Sequence, residues 1–491
     1  MRFNRREALK RMGLGLAAAA GGGLCEFSQR CEAAEHRGER LHVILFHIDD
    51  LGWKDLGCQG SRYYETPNID RLASQGTRFT DAYAACAVCS PTRAALMTGR
   101  YPARHGITDW IRARFQGGTI PPDHENPDGY VGGKNRELLC PENHLWMESD
   151  EVTIAEALKS AGYVSCHIGK WHLGAEPWWP GRQGFDYNIG GCDYGQPPNY
   201  FDPYCRKGQG CIPTLERRKE GEYLTDREAD EAVAFIEKYQ YRPFFLQMAH
   251  YGVHTPIQGR EDLVEKYENK PKHGQKNATY AAMIESIDHS VGQILDTVEE
   301  LGLTGNTLVI FTSDNGGLSR VTNNDPLRAG KGWPYEGGIR VPLIIRYPGV
   351  TNPGSVSDEP VTSVDYLPTI LDAAGRPLPS GRAIDGESLL GHFKSGGEKP
   401  LDRDAIFWHF PHYRGGNIGP YSIIRAGKWK LLKWWEGPKF ELYNLETDLG
   451  EEHDLAGEMP EKVRVLRARL DQWLEMVDAK LPRPNPGYQG A

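Results

Sequence analysis

The sequence predicts an α/β fold, with a large mixed, mostly parallel sheet flanked by helices and a smaller C-terminal α+β subdomain of antiparallel strands and a helix. Helical periodicity, an apolar strand and a polar loop recur in that order between residues 41 and 317, which is typical of a sheet covered by helices. A segment rich in Gly, Pro, Ser and charge covers residues 375–405, and short strands follow it. The composition, 39% hydrophobic and 25% charged, excludes a wholly disordered or fibrous chain.

Residues 1–34 have the features of an export signal. Arg5 and Arg6 precede a mild apolar run over 12–24, which is shorter than the roughly 20 residues that a bilayer span needs. The paired arginines resemble the twin-arginine type of signal, which carries folded proteins. We therefore expect a periplasmic or extracellular protein. An ordinary amphipathic terminus is the alternative. A lipoprotein box at Cys25 would need a small residue where Leu24 stands.

The charge balance excludes some partners. The chain has a net charge of −9, which becomes −12 when the six basic and three acidic residues of 1–34 are removed. An acidic chain is a poor general binder of nucleic acid or anionic membranes, and nothing after residue 34 approaches a membrane span. Eight cysteines remain, too few for a disulfide scaffold. Export would permit one or two bridges, for instance among Cys192, Cys205 and Cys211, with the pairing left open.

The main domain, residues 38–395, contains four predicted strands, of which 41–48 is a near-continuous apolar run. The elements predicted in chain order are strand 41–48, helix 154–161 ended by Gly162, strand 163–168, helix 229–239, strand 243–249, helix 280–301 and strand 306–312. Two stretches rich in Gly, Pro and aromatic residues, 105–150 and 175–222, interrupt this pattern. Loops of that length are usually functional or disordered, and we interpret them as the walls of a pocket, with a flexible surface loop as the alternative.

The C-terminal subdomain, residues 400–485, has the alternation of short antiparallel strands. They are predicted over 421–426, 429–434 and 440–444. A helix follows over about 461–476, because Val463, Leu466, Leu470, Trp473 and Leu474 share one helical face.

Polar side chains follow the predicted strands of the main domain. They are Asp49, Asp50, Lys170, His172, His254, Asp314 and Asn315. Ligand sites of open α/β sheets form outside the carboxyl ends of the strands, so residues far apart in sequence are expected to converge there.

This set supplies both oxygen ligands and cations. The side chains of Asp49, Asp50, Asp314 and Asn315 offer the oxygens that Ca²⁺ or Mg²⁺ prefers, and zinc is less natural without a His/Cys set. Taken alone, Asp49-Asp50 or Asp314-Asn315 could equally be a loop cap or a turn. The cations Arg93, Lys170 and Lys331, with His172 and His254, could surround a tetrahedral oxyanion. Taken singly, each of these cations is more often a surface or structural residue.

A cysteine-rich segment precedes Arg93. Cys86 and Cys89 have the spacing of a Cys-x-x-Cys redox pair, although no thioredoxin-like frame surrounds them. A buried structural cysteine is the simpler alternative.

The segment Cys89-Ser90-Pro91-Thr92-Arg93, with Thr98-Gly99 downstream, resembles the signature of the type I sulfatases of the alkaline phosphatase superfamily. In that family Cys-x-Pro-x-Arg directs oxidation of the cysteine to formylglycine. The resemblance covers about residues 41–455. It includes five further matches in family order, namely Asp49-Asp50-Leu51-Gly52, Gly169-Lys170-Trp171-His172-Leu173-Gly174, His254-Thr255-Pro256, Ser313-Asp314-Asn315-Gly316, and Lys331 with Glu336-Gly337-Gly338-Ile339-Arg340-Val341-Pro342.

The resemblance implies a role for each site residue. Asp49, Asp50, Asp314 and Asn315 would hold Ca²⁺, or Mg²⁺ in its place, together with an oxygen of modified Cys89. Arg93 would stabilise the formylglycine, Lys170 would bind the sulfate, His172 would assist the aldehyde hydrate, and His254 and Lys331 would meet the leaving group. His250 is an alternative to His254 for this role. We prefer His254, because it begins the His-x-Pro segment that the family has at this position.

Export, the long loops and their aromatic residues favour a sulfated poly- or oligosaccharide as the substrate. Trp110, Trp178 and Trp179 are available to stack on sugars, with local packing as the alternative, and Arg112 and Arg114 are available to bind a second anionic group. The resemblance implies that a formylglycine-generating enzyme acts during maturation. Two alternatives remain open, a phosphate or phosphonate ester hydrolase of the same superfamily and a catalytically inactive exported glycan-binding protein.

Overall fold

An eight-stranded sheet forms the centre of the fold in a computed structural model that describes residues 41–111, 125–415 and 418–490. The strands are β1 His42–Ile48, β2 Thr77–Phe79, β3 Val164–Gly169, β4 Tyr187–Ile189, β5 Phe244–Ala249, β6 Thr307–Ser313, β7 Leu343–Arg346 and β8 Ser355–Ser357. The export signal predicted for residues 1–34, and Arg112 and Arg114, lie outside the described residues.

The sheet is mixed and mostly parallel, which confirms the predicted fold class. Its spatial order is β8-β2-β7-β6-β1-β5-β3-β4. Strand β1 lies at the centre and runs parallel to both neighbours, with His42 opposite Thr307 and Val43 opposite Phe245. Strand β7 is antiparallel to β6 and β2. The carboxyl ends of β1, β3, β5 and β6 therefore meet at one edge of the sheet.

Helices cover both faces of the sheet, which explains why its central strands are mainly apolar and buried along their whole length. All seven residues of β1 are buried. Ile44, Phe46 and Ile48 belong to the core beneath the long helix Ala278–Glu300. The alternate residues Val43 and Leu45 belong to a second core that includes the helix Tyr366–Ala373.

The predicted helices are present. The described helices are Pro67–Gln75, Cys89–Thr98, Pro102–His105, Ile154–Lys159, Leu224–Tyr239, Glu261–Glu268, Ala278–Glu300, Glu336–Ile339, Tyr366–Ala373, Leu390–Lys394 and Pro460–Met476. A capping box between Thr153 and Glu156 starts the helix Ile154–Lys159, and Gly162 has a φ of 77° shortly after its end. Among the helices of the described chain, we find none with the length and apolar character to cross a bilayer.

A second, antiparallel sheet lies in the C-terminal part of the chain. It consists of β9 Ile406–Phe410, β10 Tyr421–Ala426, β11 Trp429–Trp434 and β12 Phe440–Asn444, and the helix Pro460–Met476 packs on it. Strand β9 is not predicted from the sequence, and it pairs with β10 over residues 406–410. The sheet shares a core with the main domain, in which Ala85 and Val364 join Ile424 and Trp473. The exact domain boundaries stay a prediction.

The two insertions are largely irregular, and they contain short paired strands. Paired or bridging strands outside the two large sheets are Ala82–Tyr83, Tyr130–Val131, Leu138–Pro141, Cys205–Arg206, Gly210–Cys211, Val361–Thr362 and Arg483–Pro484. A disulfide joins Cys205 to Cys211, whereas Cys192 is buried and free. Residues of both insertions line a cavity of about 500 Å³, where Trp146 and Trp178 stack with ring centroids 4.3 Å apart.

A buried ion cluster joins the C-terminal sheet to the main domain, and it gives a stability prediction. Lys430 Nζ lies 3.0 Å from Glu336 and 2.7 Å from Glu451, and all three side chains are almost fully buried. Burial raises the pKa of Glu451 to about 7, although Lys430 opposes the shift. Lys430→Met is expected to lower the free energy of unfolding by about 3–5 kcal/mol, because buried Glu451 loses its cation and buried Glu336 keeps only the longer pair with Arg340 at 3.4 Å.

Denaturant unfolding measures this effect. Lys428→Met is the matched control, because Lys428 pairs with Glu446 on the surface, where solvent screens the interaction. Equal losses of stability in the two variants would contradict the predicted role of the buried cluster.

Candidate active site

Four strand ends bring the predicted site residues together. Asp49 and Asp50 follow β1, Asp314 and Asn315 follow β6, Lys170 follows β3, and the segment after β5 carries His254. The backbone of the β5 segment is bonded to that of Asp49, since Asp49 N donates to Gly252 O at 3.0 Å and Val253 N donates to Asp49 O at 2.7 Å. The side chains of Asp49, Asp50, Asp314 and Asn315 are all buried.

Cys89 is the first residue of the helix Cys89–Thr98 and lies among these side chains. Its Sγ is 3.8 Å from Asp49 Oδ1 and 3.3 Å from Lys331 Nζ. Burial raises the pKa of the Cys89 thiol, but the charges on Lys170 and Lys331 outweigh burial and lower that pKa to about 6. The helix N-terminus, which carries a partial positive charge, also faces the sulfur.

Three ion pairs form the charged centre of the site. Lys170 Nζ lies 2.5 Å from Asp49, Lys331 Nζ lies 2.5 Å from Asp50, and Arg93 Nη2 lies 2.9 Å from Asp314. Arg93 also donates to the carbonyl of Lys170 at 2.8 Å, which ties the Cys89 helix to the segment after β3. Buried ion pairs contribute little net stability because desolvation opposes them, so a cluster of this size indicates chemistry.

The pKa values of two carboxylates are shifted in opposite directions. Burial and the charge of Asp314 raise the pKa of Asp49 well above its ordinary value, although Lys170 opposes them. Burial also favours a higher pKa for Asp314, but Arg93 and Lys170 hold it far below its ordinary range. The repulsion between the two carboxylates would be relieved by a cation bound between them.

The donor set fits a hard divalent cation. One ligand atom each from Asp49, Asp50, Cys89 and His254 lies within 4.8 Å of the other three. Asn315 Oδ1 is buried without a hydrogen-bond partner, while Nδ2 of the same side chain donates to Asp50 Oδ1 at 2.8 Å. Carboxylate and amide oxygens are the usual ligands of Ca²⁺. The placement of His254 in this group is not expected from the sequence, and the individual ligand roles stay a prediction.

Asp314 is held by its neighbours as well as by Arg93. Its Oδ1 accepts a hydrogen bond from the backbone N of Asp50 at 3.2 Å. Asp50 itself has a positive φ of 59°, which brings the two acidic loops together. All five residues predicted as metal ligands therefore lie in one continuous cluster.

His172 approaches from the loop after β3. Its Nε2 donates to the carbonyl of Ile111 at 2.9 Å, which leaves Nδ1 as an acceptor, and Nδ1 is buried without a partner. Burial and Lys170 lower the pKa of His172 well below its ordinary value, so the ring is neutral.

The two candidate histidines after β5 have different surroundings. His254 Nε2 lies 3.6 Å from Asp50 Oδ2, and its Nδ1 lies 2.9 Å from the carbonyl of Thr255. His250 Nδ1 instead lies 2.6 Å from Glu228 Oε2, and its Nε2 lies 3.1 Å from Ser290 Oγ. His254 therefore faces the charged centre, whereas both ring nitrogens of His250 are used in a fully buried network.

This difference predicts unequal effects of one substitution at the two positions. His254→Gln is expected to lower kcat by about 10²–10⁴-fold, the usual loss when a proton-transfer group is removed. His250→Gln is expected to reduce kcat by less than about tenfold, because its ring cannot reach the reacting atoms. Steady-state kinetics on an aryl sulfate measure both variants, with circular dichroism to establish folding. Equal losses of kcat in two folded variants would contradict the assignment to His254.

Some features of the site have no signal in the sequence. The hydroxyl of Tyr200, from the insertion 175–222, lies 2.7 Å from the carbonyl of Tyr251 and 2.8 Å from that of His254, so its one proton is shared between them and fixes the segment after β5. In the sequence, only the aromatic content of that insertion indicates a role for Tyr200. Cys86 is a free buried cysteine whose pKa burial raises to about 12, so it is poorly suited to a redox pair with Cys89.

Two protein-family models match the chain. The Sulfatase model matches residues 42–376. A second model, N-sulphoglucosamine sulphohydrolase, C-terminal, matches residues 329–480, which include the antiparallel sheet.

Individual proteins are similar over most of the chain. A sulfatase of Formosa agariphila is 34% identical, with 89% of each chain covered. N-acetylgalactosamine-6-sulfatase of Homo sapiens is 34% identical over 80% of this chain and 73% of its own length. The crystal structure of Ps i-CgsB and that of its complex with k-i-k-neocarrahexaose are 31% and 30% identical, each with a TM-score of 0.73 and coverage of 88% of this chain and 92% of the other.

Proposed function

The chain belongs to the sulfatase family, and from this premise we propose that it removes sulfate from a sulfated carbohydrate, with formylglycine made from Cys89 as the nucleophile and Ca²⁺ as the metal ion. The observation that carries the proposal is the position of Cys89 Sγ, which shares a 4.8 Å cluster of ligand atoms with Asp49, Asp50 and His254. Lys331 Nζ lies 3.3 Å from the same sulfur atom.

Residue 89 is positioned for attack on an ester held at the strand ends. In its formylglycine hydrate form it supplies two hydroxyls on one carbon, one to displace the alcohol from sulfur and one to expel sulfate as the aldehyde reforms. His172 can assist the second step, because its neutral Nδ1 is free to accept the remaining hydroxyl proton. A thiol would instead leave a sulfur–sulfur linkage without this route of release.

The cations of the site can bind the sulfate. Each lysine ammonium has three donors. Lys170 uses one on Asp49, and Lys331 uses one on Asp50 and one on the sulfur of residue 89, so both keep a donor for ester oxygens. Arg93 holds Asp314 and the Lys170 backbone in place. Asp49, Asp50, Asp314 and Asn315 would hold Ca²⁺, which supplies positive charge that favours the alkoxide and orients the ester.

The leaving alcohol is expected on the side of His254 and Lys331. The His254 side chain is 14% exposed and that of Lys331 8%, whereas Lys170 and Asp49 are fully buried. A bulky alcohol must extend towards solvent, so these two side chains would meet it. His254 Nε2 would protonate its oxygen, since an alcohol is otherwise a poor leaving group.

Similarity supports a carbohydrate as the source of that alcohol. Ps i-CgsB binds k-i-k-neocarrahexaose, and the human relative is named for a sulfated amino sugar. Among the predicted stacking residues, Trp178 has one ring face covered by Trp146, which leaves the other face for a sugar. We also propose export by the signal in residues 1–34 and maturation by a formylglycine-generating enzyme.

Matched kinetics test the proposed reaction. We expect the enzyme to cleave an aryl sulfate with a kcat/KM at least about 10²-fold above that for the corresponding aryl phosphate. The three cations of the site are already balanced by three carboxylates. The site therefore accommodates a sulfate ester, which has the lower negative charge, better than a phosphate ester. Sulfate release from a panel of saccharides with defined sulfation positions would then identify the sugar. A preference for the phosphate ester would instead support the phosphatase alternative. Saccharide binding without release of sulfate would support an inactive binding protein.

A further inference from the structure

An arginine from the C-terminal part of the chain lies against Gly332, the residue that follows Lys331 of the site. Arg414 follows β9, and its backbone N donates to Ile418 O at 2.9 Å. The side chain lies against Gly332, where a Cβ added to the glycine would stand 2.6 Å from Arg414 Cζ and 2.7 Å from Nε. The absence of a side chain at Gly332 therefore makes room for the guanidinium.

Gly332 is close to the nucleophile along two paths. It follows Lys331, whose Nζ lies 3.3 Å from Cys89 Sγ. Its backbone N also donates to the carbonyl of Ala87 at 2.8 Å, two residues before Cys89. Arg414 thus borders the more exposed side of the site, where Lys331 and the leaving alcohol would meet.

Unlike the other cations of the site, Arg414 has no described carboxylate at ion-pair distance, although Arg414 and the buried carboxylate of Asp109 both influence the pKa of the Cys86 thiol. Lys170, Lys331 and Arg93 each have a carboxylate partner. Within the described ranges, Arg414 forms no ion pair, and its Nη1 is buried without a hydrogen-bond partner. Leaving a buried donor of a charged group unpaired is costly, so this position is suited to an anion that arrives with a ligand.

We propose that Arg414 binds a second anionic group of the substrate, a sulfate or carboxylate carried by the leaving saccharide. This inference rests on the proposed function and adds to it that the saccharide is at least doubly charged. A guanidinium presents a planar pair of donors that matches two oxygens of such a group, and it keeps its charge at every relevant pH. Arg414 would thus determine specificity.

Paired substrates test the proposal. The same disaccharide is prepared with one sulfate and with an added second sulfate, and sulfate release by the full-length purified enzyme is measured for each. Wild type is expected to prefer the doubly charged disaccharide, and Arg414→Gln is expected to reduce the ratio of the two kcat/KM values by about tenfold or more. Arg414→Lys should restore part of that ratio. Arg242→Gln is the charge-matched control, because Arg242 is exposed and precedes β5 at the opposite edge of the sheet.

Each outcome bears on a separate claim. A ratio that is unchanged in Arg414→Gln, or a wild type without preference for the second sulfate, overturns the role of Arg414 while sulfate release itself upholds the proposed function. Cleavage of an aryl sulfate without release from either disaccharide overturns the carbohydrate substrate and the inference with it. Should Arg414→Gln fail to fold, Arg414→Lys, with its loss of paired donors, still has to lower the ratio.

Discussion

Cys89→Ala is expected to abolish sulfate ester hydrolysis, with kcat at least about 10³-fold below wild type, because no other described side chain is placed to replace the nucleophile. The fold should survive, since alanine fits the space of the cysteine at the first position of its helix. The removal of one sulfur from a cluster of buried charges also leaves all three ion pairs intact. Release of sulfate from an aryl sulfate measures the loss, and thermal unfolding establishes that the variant is folded.

Cys86→Ala is the matched control for this loss. Cys86 is a buried cysteine three residues earlier, and its substitution removes the same atoms without touching the ion pairs. Turnover in Cys89→Ala close to that of Cys86→Ala would contradict the nucleophile assignment. Mass spectrometry gives an independent measurement, because conversion of the thiol to an aldehyde lowers the mass of the Cys89 peptide by about 18 Da. An unmodified thiol throughout a fully active preparation would exclude formylglycine.

The central strands could be predicted from the sequence because each is buried on both faces. The predicted strands 41–48 and 306–312 correspond to His42–Ile48 and Thr307–Ser313, within one residue at each end. The short strands Thr77–Phe79 and Ser355–Ser357 could not be predicted in this way. Each has three residues, and its strand character comes from pairing with a segment far away in the chain, which local periodicity does not record.

The site was predictable to the extent that topology alone determines it. Polar residues directly after parallel strands must meet at one edge, so the approach of Asp49 and Asp314 follows from the order of the strands. The orientation of a ring within a loop does not, and only the contacts of His250 with Glu228 and Ser290 separate it from His254. Arg414 could not be predicted for a different reason, because its contact with Gly332 joins segments about 80 residues apart that no periodic pattern connects.

Asp50→Asn is expected to reduce kcat/KM by about 10³-fold or more and to remove the response of the protein to Ca²⁺. Asp50 is the centre of the charged cluster, since its Oδ1 contacts Lys331 Nζ at 2.5 Å and accepts a hydrogen bond from Asn315 Nδ2 at 2.8 Å. Burial favours a higher pKa for Asp50, but Lys331 and His254 outweigh burial and lower it, so the carboxylate is charged at neutral pH. An amide there removes one negative charge from the metal site, offers one oxygen where the carboxylate had two, and leaves Lys331 without its counter-charge.

Asp55→Asn separates the loss of a metal ligand from the general effect of changing a buried aspartate in the same loop. Burial raises the pKa of Asp55 to about 6 although Tyr280 and Thr322 donate hydrogen bonds to it. Both Gly52 N and Tyr280 OH bond to a single oxygen of Asp55, which an amide oxygen can replace. Thermal unfolding after chelation, with and without added Ca²⁺, should show a rise in Tm for wild type and Asp55→Asn and none for Asp50→Asn. A full rise in Asp50→Asn would place the cation elsewhere, because a site that lacks its central carboxylate cannot keep its affinity.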